Sequence, residues 1–255
     1  MTVESQFWFG DTLARRLGRH EKPSPQALIV YHGFPGQPPP GEEAKYAGLP
    51  KFRVELARAV AARLGWDAYL PGYDGLGESR GTFSFERAVE RSAEFARAAA
   101  ARGHERVHVA GHSWGAFVAA NVGDALGASG GAVVLLAGLL DLPDEAAVRA
   151  FLPYYVELYP NILGADSGAL ERAAADLDAA RRRFNPMSRA ASRSSEEKLL
   201  IVSARRDTYV DPASSRRYQE RFGGRHVELD DDHTFSLNMP RAIDEVARFL
   251  EHSEP

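Results

Sequence analysis

The most informative stretch of the sequence, residues 107–126, reads VHVAGHSWGAFVAANVGDAL. Its apolar, β-branched start predicts a buried strand, and its second half predicts a helix. Between the two, Gly111 and Gly115 flank Ser113 in a Gly-x-Ser-x-Gly pattern, because a sharp turn from strand to helix leaves no room for side chains beside the neighbouring strand. Such a turn exposes the serine hydroxyl at the helix N-terminus, so Ser113 is predicted to be a nucleophile.

Further apolar runs extend this strand–helix unit into an α/β fold. The candidates for buried strands are residues 28–31, 133–136, 199–202 and 226–229. The segments with helical spacing of apolar residues include 52–64, 85–102 and 243–250. Near the start, residues 7–9 and 13–17 flank Gly10-Asp11 and predict an antiparallel hairpin at the sheet edge. The predicted fold class is therefore a mostly parallel sheet with an antiparallel N-terminal hairpin and helices on both faces.

The composition of the 255-residue chain excludes several kinds of site and partner. It contains no cysteine, so disulfides, zinc–thiolate sites and a thiol nucleophile are excluded. A net charge of -4 gives no general attraction to nucleic acid or anionic lipid. The start lacks the basic segment of a signal peptide, and the longest apolar run, 132–140, is about half a membrane span. We therefore expect a cytoplasmic monomer or homodimer that binds neither nucleic acid nor membrane.

The chain is predicted to form a single structural domain with one insertion. Residues 1–138 and 198–255 are assigned to the core, and residues 139–197 to a small helical cap over one end of the sheet. The insertion is about twice as long as a plain crossover between parallel strands. Helical stretches are expected within it at 145–159 and 169–184. An ordinary long crossover packed on the sheet face is the alternative interpretation.

A serine hydroxyl is a poor nucleophile at neutral pH and needs a base. Of the eight histidines, His233 is the one that follows the predicted last strand and precedes the last helix, within the sequence DDHTF at 231–235. The carboxyl end of that strand lies at the same edge of a parallel sheet as the serine turn. His233 is therefore predicted to be the base.

The base needs a carboxylate to orient it, and two aspartates lie close together in the sequence. Asp207 comes shortly after a predicted strand and is assigned to this role. Asp211 precedes Pro212 and is predicted instead to be the N-cap of the next helix. The resulting chain order, serine, aspartate, histidine, differs from that of chymotrypsin and of subtilisin.

Attack on a carbonyl also needs donors for the negative oxygen that develops. The loop 32–36, with the sequence HGFPG, follows the first buried strand and can bring a backbone N–H beside Ser113. The two predicted donors are the backbone N–H groups of Phe34 and Trp114. His32 is a further candidate for substrate contact, although His-Gly could equally form a simple strand-to-loop turn.

Aromatic side chains of the insertion are candidates for a substrate pocket. They are Phe151, Tyr154, Tyr155 and Tyr159. Tyr154 and Tyr155 are predicted to contact the substrate. The alternative is that this aromatic stripe, which has helical spacing, belongs to the core.

The chain resembles the α/β-hydrolase superfamily over essentially its whole length. The matching pieces are the loop 32–36, the segment YDGLGES at 73–79, the turn 111–115, Asp207 and His233. The segment at 73–79, followed by Gly81-Thr82-Phe83, is similar to capped carboxylesterases, including cinnamoyl and feruloyl esterases and serine aminopeptidase-like lipases. His-Gly-Phe-Pro is also similar to epoxide hydrolases and haloalkane dehalogenases. Those enzymes use an aspartate nucleophile where this chain has Ser113, so their chemistry is not transferred.

The residues and the resemblance together predict a serine hydrolase that cleaves small-molecule carboxylic esters. His233 would remove the Ser113 proton, and an acyl-enzyme would form and be hydrolysed. Neither a metal nor an organic cofactor is implied. The alternatives are amide, thioester or carbon–carbon bond hydrolysis on the same residues, and a receptor-like α/β-hydrolase that binds a ligand with little turnover.

Overall fold

A computed structural model of the protein describes residues 3–19, 22–36, 51–142, 144–164, 166–189 and 196–253. The strands in these ranges are β1 (Val3–Phe9), β2 (Thr12–Gly18), β3 (Gln26–Tyr31), β4 (Asp67–Pro71), β5 (Arg106–His112), β6 (Gly130–Leu136), β7 (Leu199–Ala204) and β8 (Arg225–Leu229). They form one sheet in the order β1-β2-β4-β3-β5-β6-β7-β8.

The sheet is parallel except at its N-terminal edge. Strands β1 and β2 form the predicted antiparallel hairpin, with Phe7 opposite Ala14, and β2 pairs antiparallel with β4. Every other neighbouring pair is parallel. The predicted fold class is confirmed. Strands β5, β6, β7 and β8 are adjacent, so the loops after β5, β7 and β8 leave the same edge of the sheet.

The helices flank the sheet. They are α1 (Lys51–Arg63), α2 (Phe85–Ala100), α3 (Trp114–Ala125), α4 (Glu145–Leu158), α5 (Pro160–Leu163), α6 (Ala169–Phe184), α7 (Pro212–Phe222) and α8 (Met239–His252). On β3, Leu28 and Val30 pack into one apolar core with α1 and α8, while Ile29 and Tyr31 pack into a second core with α2 and α3. Strands buried on both faces explain why the strand segments read as continuous apolar runs.

The insertion between β6 and β7 contributes α4, α5 and α6. Helix α6 is fastened to the start of α2, because the Asp176 carboxylate accepts hydrogen bonds from the hydroxyl of Ser84 (2.7 Å) and the N–H of Phe85 (2.6 Å). Helix α4 is joined to α6 by a two-pronged ion pair from Arg149 to Glu171. None of the helices in the described ranges has the length and hydrophobicity that crossing a bilayer requires.

Candidate active site

Ser113 lies between β5 and α3 in a strained backbone conformation. Its φ is 57° and its ψ is -120°, a region that costs a residue other than glycine about 1–3 kcal/mol. A Cβ atom at Gly115 would overlap the carbonyl oxygen of Tyr31 on β3, which confirms the predicted clash with the neighbouring strand. A Cβ at Gly111 would instead overlap the backbone of Gly115. The glycine before the serine is thus required by the first turn of α3, not by the neighbouring strand.

The loop after β3 approaches this turn closely. A Cβ atom added to Gly33 would lie 3.0 Å from the Cβ of Ser113, and Phe34 is the next residue. The N–H of Ser113 donates to the carbonyl of Leu136 on β6 (2.9 Å). The N–H of Trp114 belongs to the first turn of α3, where N–H groups have no acceptor within the helix. These positions suit the N–H groups of Phe34 and Trp114 as donors to an oxyanion. That assignment stays a prediction.

Aromatic packing connects the two segments that carry these N–H groups. The buried ring of Phe34 lies 5.0 Å from that of Phe85, which meets Trp114 edge-on at 5.0 Å. Trp114 in turn stacks on Phe117 of α3 at 4.6 Å. Because rings packed in this way have little freedom to move, the loop after β3 and the start of α3 are held in a fixed relation.

Asp207 and His233 are in direct contact across the carboxyl edge of the sheet. The Nδ1–H of His233 donates to Asp207 Oδ2 over 2.7 Å, and the two side chains are 11% and 2% exposed. The second oxygen, Oδ1, accepts the backbone N–H groups of Tyr209 (2.8 Å) and Val210 (2.9 Å). The carboxylate is therefore held from both sides, and the Nε2 atom of His233 is left to act on another group.

The loop that carries His233 is fastened by two aspartates. The carboxylate of Asp231, which is buried, accepts the N–H groups of Leu237 and Asn238 over 3.0 Å each, at the start of α8. Asp232 Oδ1 accepts both the N–H and the hydroxyl of Thr234 at 2.9 Å. Hydrogen bonds that a short acidic side chain accepts from the following backbone N–H groups stabilise a tight turn.

His112, the residue before the serine, connects the turn to the His233 loop. Its Nε2–H donates to the backbone carbonyl of His233 over 2.7 Å, and the two imidazole rings are 4.8 Å apart. Burial, followed by the nearby His233, lowers the pKa of His112 to about 3, so the ring is neutral near pH 7.

His32 has contacts that shape the loop after β3. Its Nδ1–H donates to the carbonyl of Gly33 (2.7 Å), and its ring lies 4.4 Å from that of Tyr73, whose hydroxyl donates to the His32 carbonyl (3.0 Å). Burial, and then the Arg53 guanidinium, lowers the pKa of His32 to about 3. These contacts favour the strand-to-loop turn, and contact with a substrate stays a prediction.

Tyrosines from the insertion lie near Phe34. The ring of Tyr155, on α4, is 5.4 Å from Phe34, and Tyr154 meets Tyr155 edge-on at 5.5 Å. Tyr154 is 47% exposed, whereas Tyr159 is buried. Tyr155 is half-buried, so the three tyrosines of the insertion range from exposed to buried. The Phe151 side chain lies outside the described part of the chain.

A family model for the alpha/beta hydrolase family matches residues 27–249. The chain belongs to the α/β-hydrolase family. No curated protein sequence is significantly similar to it. Among solved structures, this α/β-hydrolase is similar to Est1E from Butyrivibrio proteoclasticus with ferulic acid bound, at 15% identity, a TM-score of 0.65 and 95% of each chain covered.

Two other solved structures show the same fold. A hydrolase from Pseudomonas aeruginosa PA01 is 20% identical, with a TM-score of 0.63 and coverage of 97% of this chain and 98% of that one. XC6422 from Xanthomonas campestris, a serine hydrolase without a lid, is 15% identical, with a TM-score of 0.59 and coverage of 100% and 95%. At these identities the similarity establishes the fold of this α/β-hydrolase.

Several side chains at this edge of the α/β-hydrolase were not singled out from the sequence. They are His112, Tyr209, Asp231 and Asp232. A local signal existed for Asp232, because Asp-x-Thr is a turn-forming pattern. For His112 and Tyr209 no local pattern exists, since their contacts with His233 span 121 and 24 residues of chain. Within the described residues, no group of three His, Asp or Glu side chains could hold a metal ion.

Proposed function

We propose that this α/β-hydrolase is a carboxylesterase that cleaves esters of small or medium acyl groups through an acyl-enzyme on Ser113. The observation that carries the proposal is the 2.7 Å hydrogen bond from His233 Nδ1 to Asp207. It fixes the imidazole tautomer that has a free Nε2 lone pair. The hydrogen bond from His112 to the His233 carbonyl keeps this imidazole beside His112, the neighbour of Ser113 in the chain.

The reaction has two halves. In the first, His233 Nε2 takes the Ser113 proton as the hydroxyl oxygen bonds to the ester carbon, and the proton then passes to the departing alcohol. In the second, His233 takes a proton from a water whose oxygen bonds to the acyl carbon, and the proton then passes to Ser113 Oγ as the bond from Oγ to that carbon breaks and the acid leaves. The N–H groups of Phe34 and Trp114 stabilise the oxyanion in both halves, each donor contributing about 3 kcal/mol to transition-state stabilisation.

Residues 139–197 act as the cap over this site, with Tyr154 and Tyr155 contacting the acyl group. The contact between Tyr155 and Phe34 supports this role, because Phe34 also supplies one of the proposed oxyanion donors. Est1E, described with ferulic acid bound, offers a parallel, since ferulic acid is a carboxylic acid of the kind that ester hydrolysis releases.

Covalent labelling tests the nucleophile. A fluorophosphonate should modify Ser113, as located by mass spectrometry, and Ser113→Ala should abolish both labelling and turnover of p-nitrophenyl esters. Ser203→Ala is a matched control, because the Ser203 hydroxyl hydrogen-bonds a histidine, His226 Nε2 at 2.8 Å, but is buried within β7. It should keep both labelling and activity.

Three outcomes would contradict the proposal. An adduct on another serine, or activity retained in Ser113→Ala, would remove Ser113 as nucleophile. A single burst without further turnover on every ester would favour a receptor-like protein. Faster turnover of amides or thioesters than of the corresponding esters would move the chain to another class of acyl hydrolase.

A further inference from the structure

An exposed tyrosine lies against the proposed base. The ring of Tyr209 is 5.2 Å from the His233 imidazole at an interplanar angle of 41°, and the residue is 56% exposed. On the protein side, the His112 ring packs against the same imidazole at 4.8 Å. Tyr209 therefore borders His233 on its solvent-exposed side.

The position of Tyr209 is set by its backbone. Its N–H donates to Asp207 Oδ1 over 2.8 Å, alongside that of Val210. Any residue at position 209 except proline can make this hydrogen bond through its backbone N–H, so the tyrosine ring is not needed to hold Asp207. Both oxygens of the Asp207 carboxylate are also engaged, by these N–H groups and by His233. The exposed ring of Tyr209 is therefore free to contact a flat aromatic group.

The chemistry of the proposed reaction assigns this surface to the leaving group. In the first half-reaction His233 must give its proton to the oxygen that departs, so the atoms attached to that oxygen pass beside the imidazole. The carbonyl oxygen points instead toward the N–H groups of Phe34 and Trp114. Tyr209 borders His233, whereas Tyr155 borders Phe34.

We propose that Tyr209 forms an aromatic subsite for the leaving group, and that the preferred substrates are aryl esters, from which a phenol departs. The inference rests on the proposed function. The bond from Ser113 Oγ to the acyl carbon forms, and the bond from that carbon to the phenol oxygen breaks. The oxygen keeps the electron pair and receives the proton that His233 had taken from Ser113.

The tyrosines of the insertion, which are assigned to the acyl group, lie beside the surface formed by Tyr209. Burial raises the pKa of Tyr155, and the nearby Tyr209, Tyr154 and Asp207 side chains raise it further. Aromatic rings prefer offset or edge-on contacts, and Tyr154 and Tyr155 already meet in this way. A phenol ring can contact the exposed Tyr209 ring in the same way.

The test compares two esters that share an acyl group. Phenyl acetate and hexafluoroisopropyl acetate release alcohols of similar acidity, but only the first leaving group is aromatic. Tyr209→Leu should lower kcat/KM for phenyl acetate by about 2- to 12-fold, the range of one aromatic contact. It should leave kcat/KM for the alkyl ester unchanged, and Tyr209→Phe should behave like wild type with both. Hydrolysis of the shared acetyl-enzyme, followed by pre-steady-state kinetics, should be the same in all variants.

A control variant and two outcomes that would overturn the subsite complete the design. Trp8→Leu removes another exposed aromatic residue, on the edge strand β1, and should leave the ratio of the two esters unchanged. Equal losses for both esters in Tyr209→Leu would show that the ring only supports His233, which overturns the subsite. A changed preference between phenyl benzoate and phenyl acetate, with an unchanged leaving-group ratio, would place the ring against the acyl group and overturn it too.

Two further outcomes separate the inference from the proposed function. If Ser113 is labelled by a fluorophosphonate and both acetates turn over, but wild type and Tyr209→Leu show the same leaving-group ratio, the subsite alone is refuted. If Ser113 is not labelled and neither acetate turns over, the proposed function fails and the subsite fails with it.

Discussion

Replacing Asp207 by asparagine should abolish most activity without unfolding the protein. Asp207 Oδ1 accepts two backbone N–H groups, and only an oxygen can do so, hence the amide oxygen of the variant will occupy that position. The amide NH₂ then faces His233 Nδ1, which must become an acceptor. The imidazole proton moves to Nε2, where it blocks removal of the Ser113 proton. We expect kcat to fall by about 10⁴, as in a protease with the same substitution, or about 5 kcal/mol in activation free energy.

Asp211→Ala is the matched control, because it removes a nearby carboxylate with a different role. Asp211 Oδ1 accepts the N–H of Ala213 at 2.9 Å and is the N-cap of α7, with Pro212 at the first helical position, which confirms the sequence prediction. Its loss should cost roughly 1 kcal/mol in the free energy of unfolding and little activity. Steady-state kinetics with a p-nitrophenyl ester and urea denaturation measure both effects. Near-normal kcat in Asp207→Asn, together with an inactive Asp211→Asn, would refute the assignment.

Three further predictions concern other residues. His108 is fully buried with both ring nitrogens hydrogen-bonded, and burial lowers its pKa to about 4. Because the unfolded chain binds this proton near pH 6.5 and the folded chain does not, stability is lost as pH falls. When the pH falls from about 7.5 to about 5.5, the free energy of unfolding measured by urea titration should decrease by about 1 kcal/mol more in wild type than in His108→Leu. His112→Gln, which keeps a donor near the Nε2 position, should retain most of kcat. In contrast, His112→Met should lower kcat by about 10- to 100-fold, because the unpaired His233 carbonyl lets the base shift; equal kcat values would remove His112 as a positioning residue. Tyr154→Ala or Tyr155→Ala should change acyl chain-length preference in a p-nitrophenyl ester series more than the melting temperature, whereas uniform losses that follow a lower Tm would assign these tyrosines to the core.

Much of the fold was predictable because its signals are local. Apolar spacing predicted α6 with its observed bounds, and the Asp211-Pro212 pair predicted the start of α7. The Gly-x-Ser-x-Gly pattern predicted the turn at Ser113, although β5 continues to His112 and α3 begins at Trp114. The apolar run of the strand stops short of this turn, whereas the backbone hydrogen bonds continue through residues whose side chains show no periodicity.

The sequence by itself determined the parallel sheet, the turn that carries Ser113, and which loops reach one edge, since these follow from runs and patterns within a few neighbouring residues. It did not determine what surrounds the His233 imidazole. The hydrogen bond from His112 and the ring of Tyr209 depend on the side-by-side order of β5, β6, β7 and β8 and on the turn that Asp232 stabilises. Contacts between residues far apart in the chain leave no local pattern, so only the tertiary structure decided them.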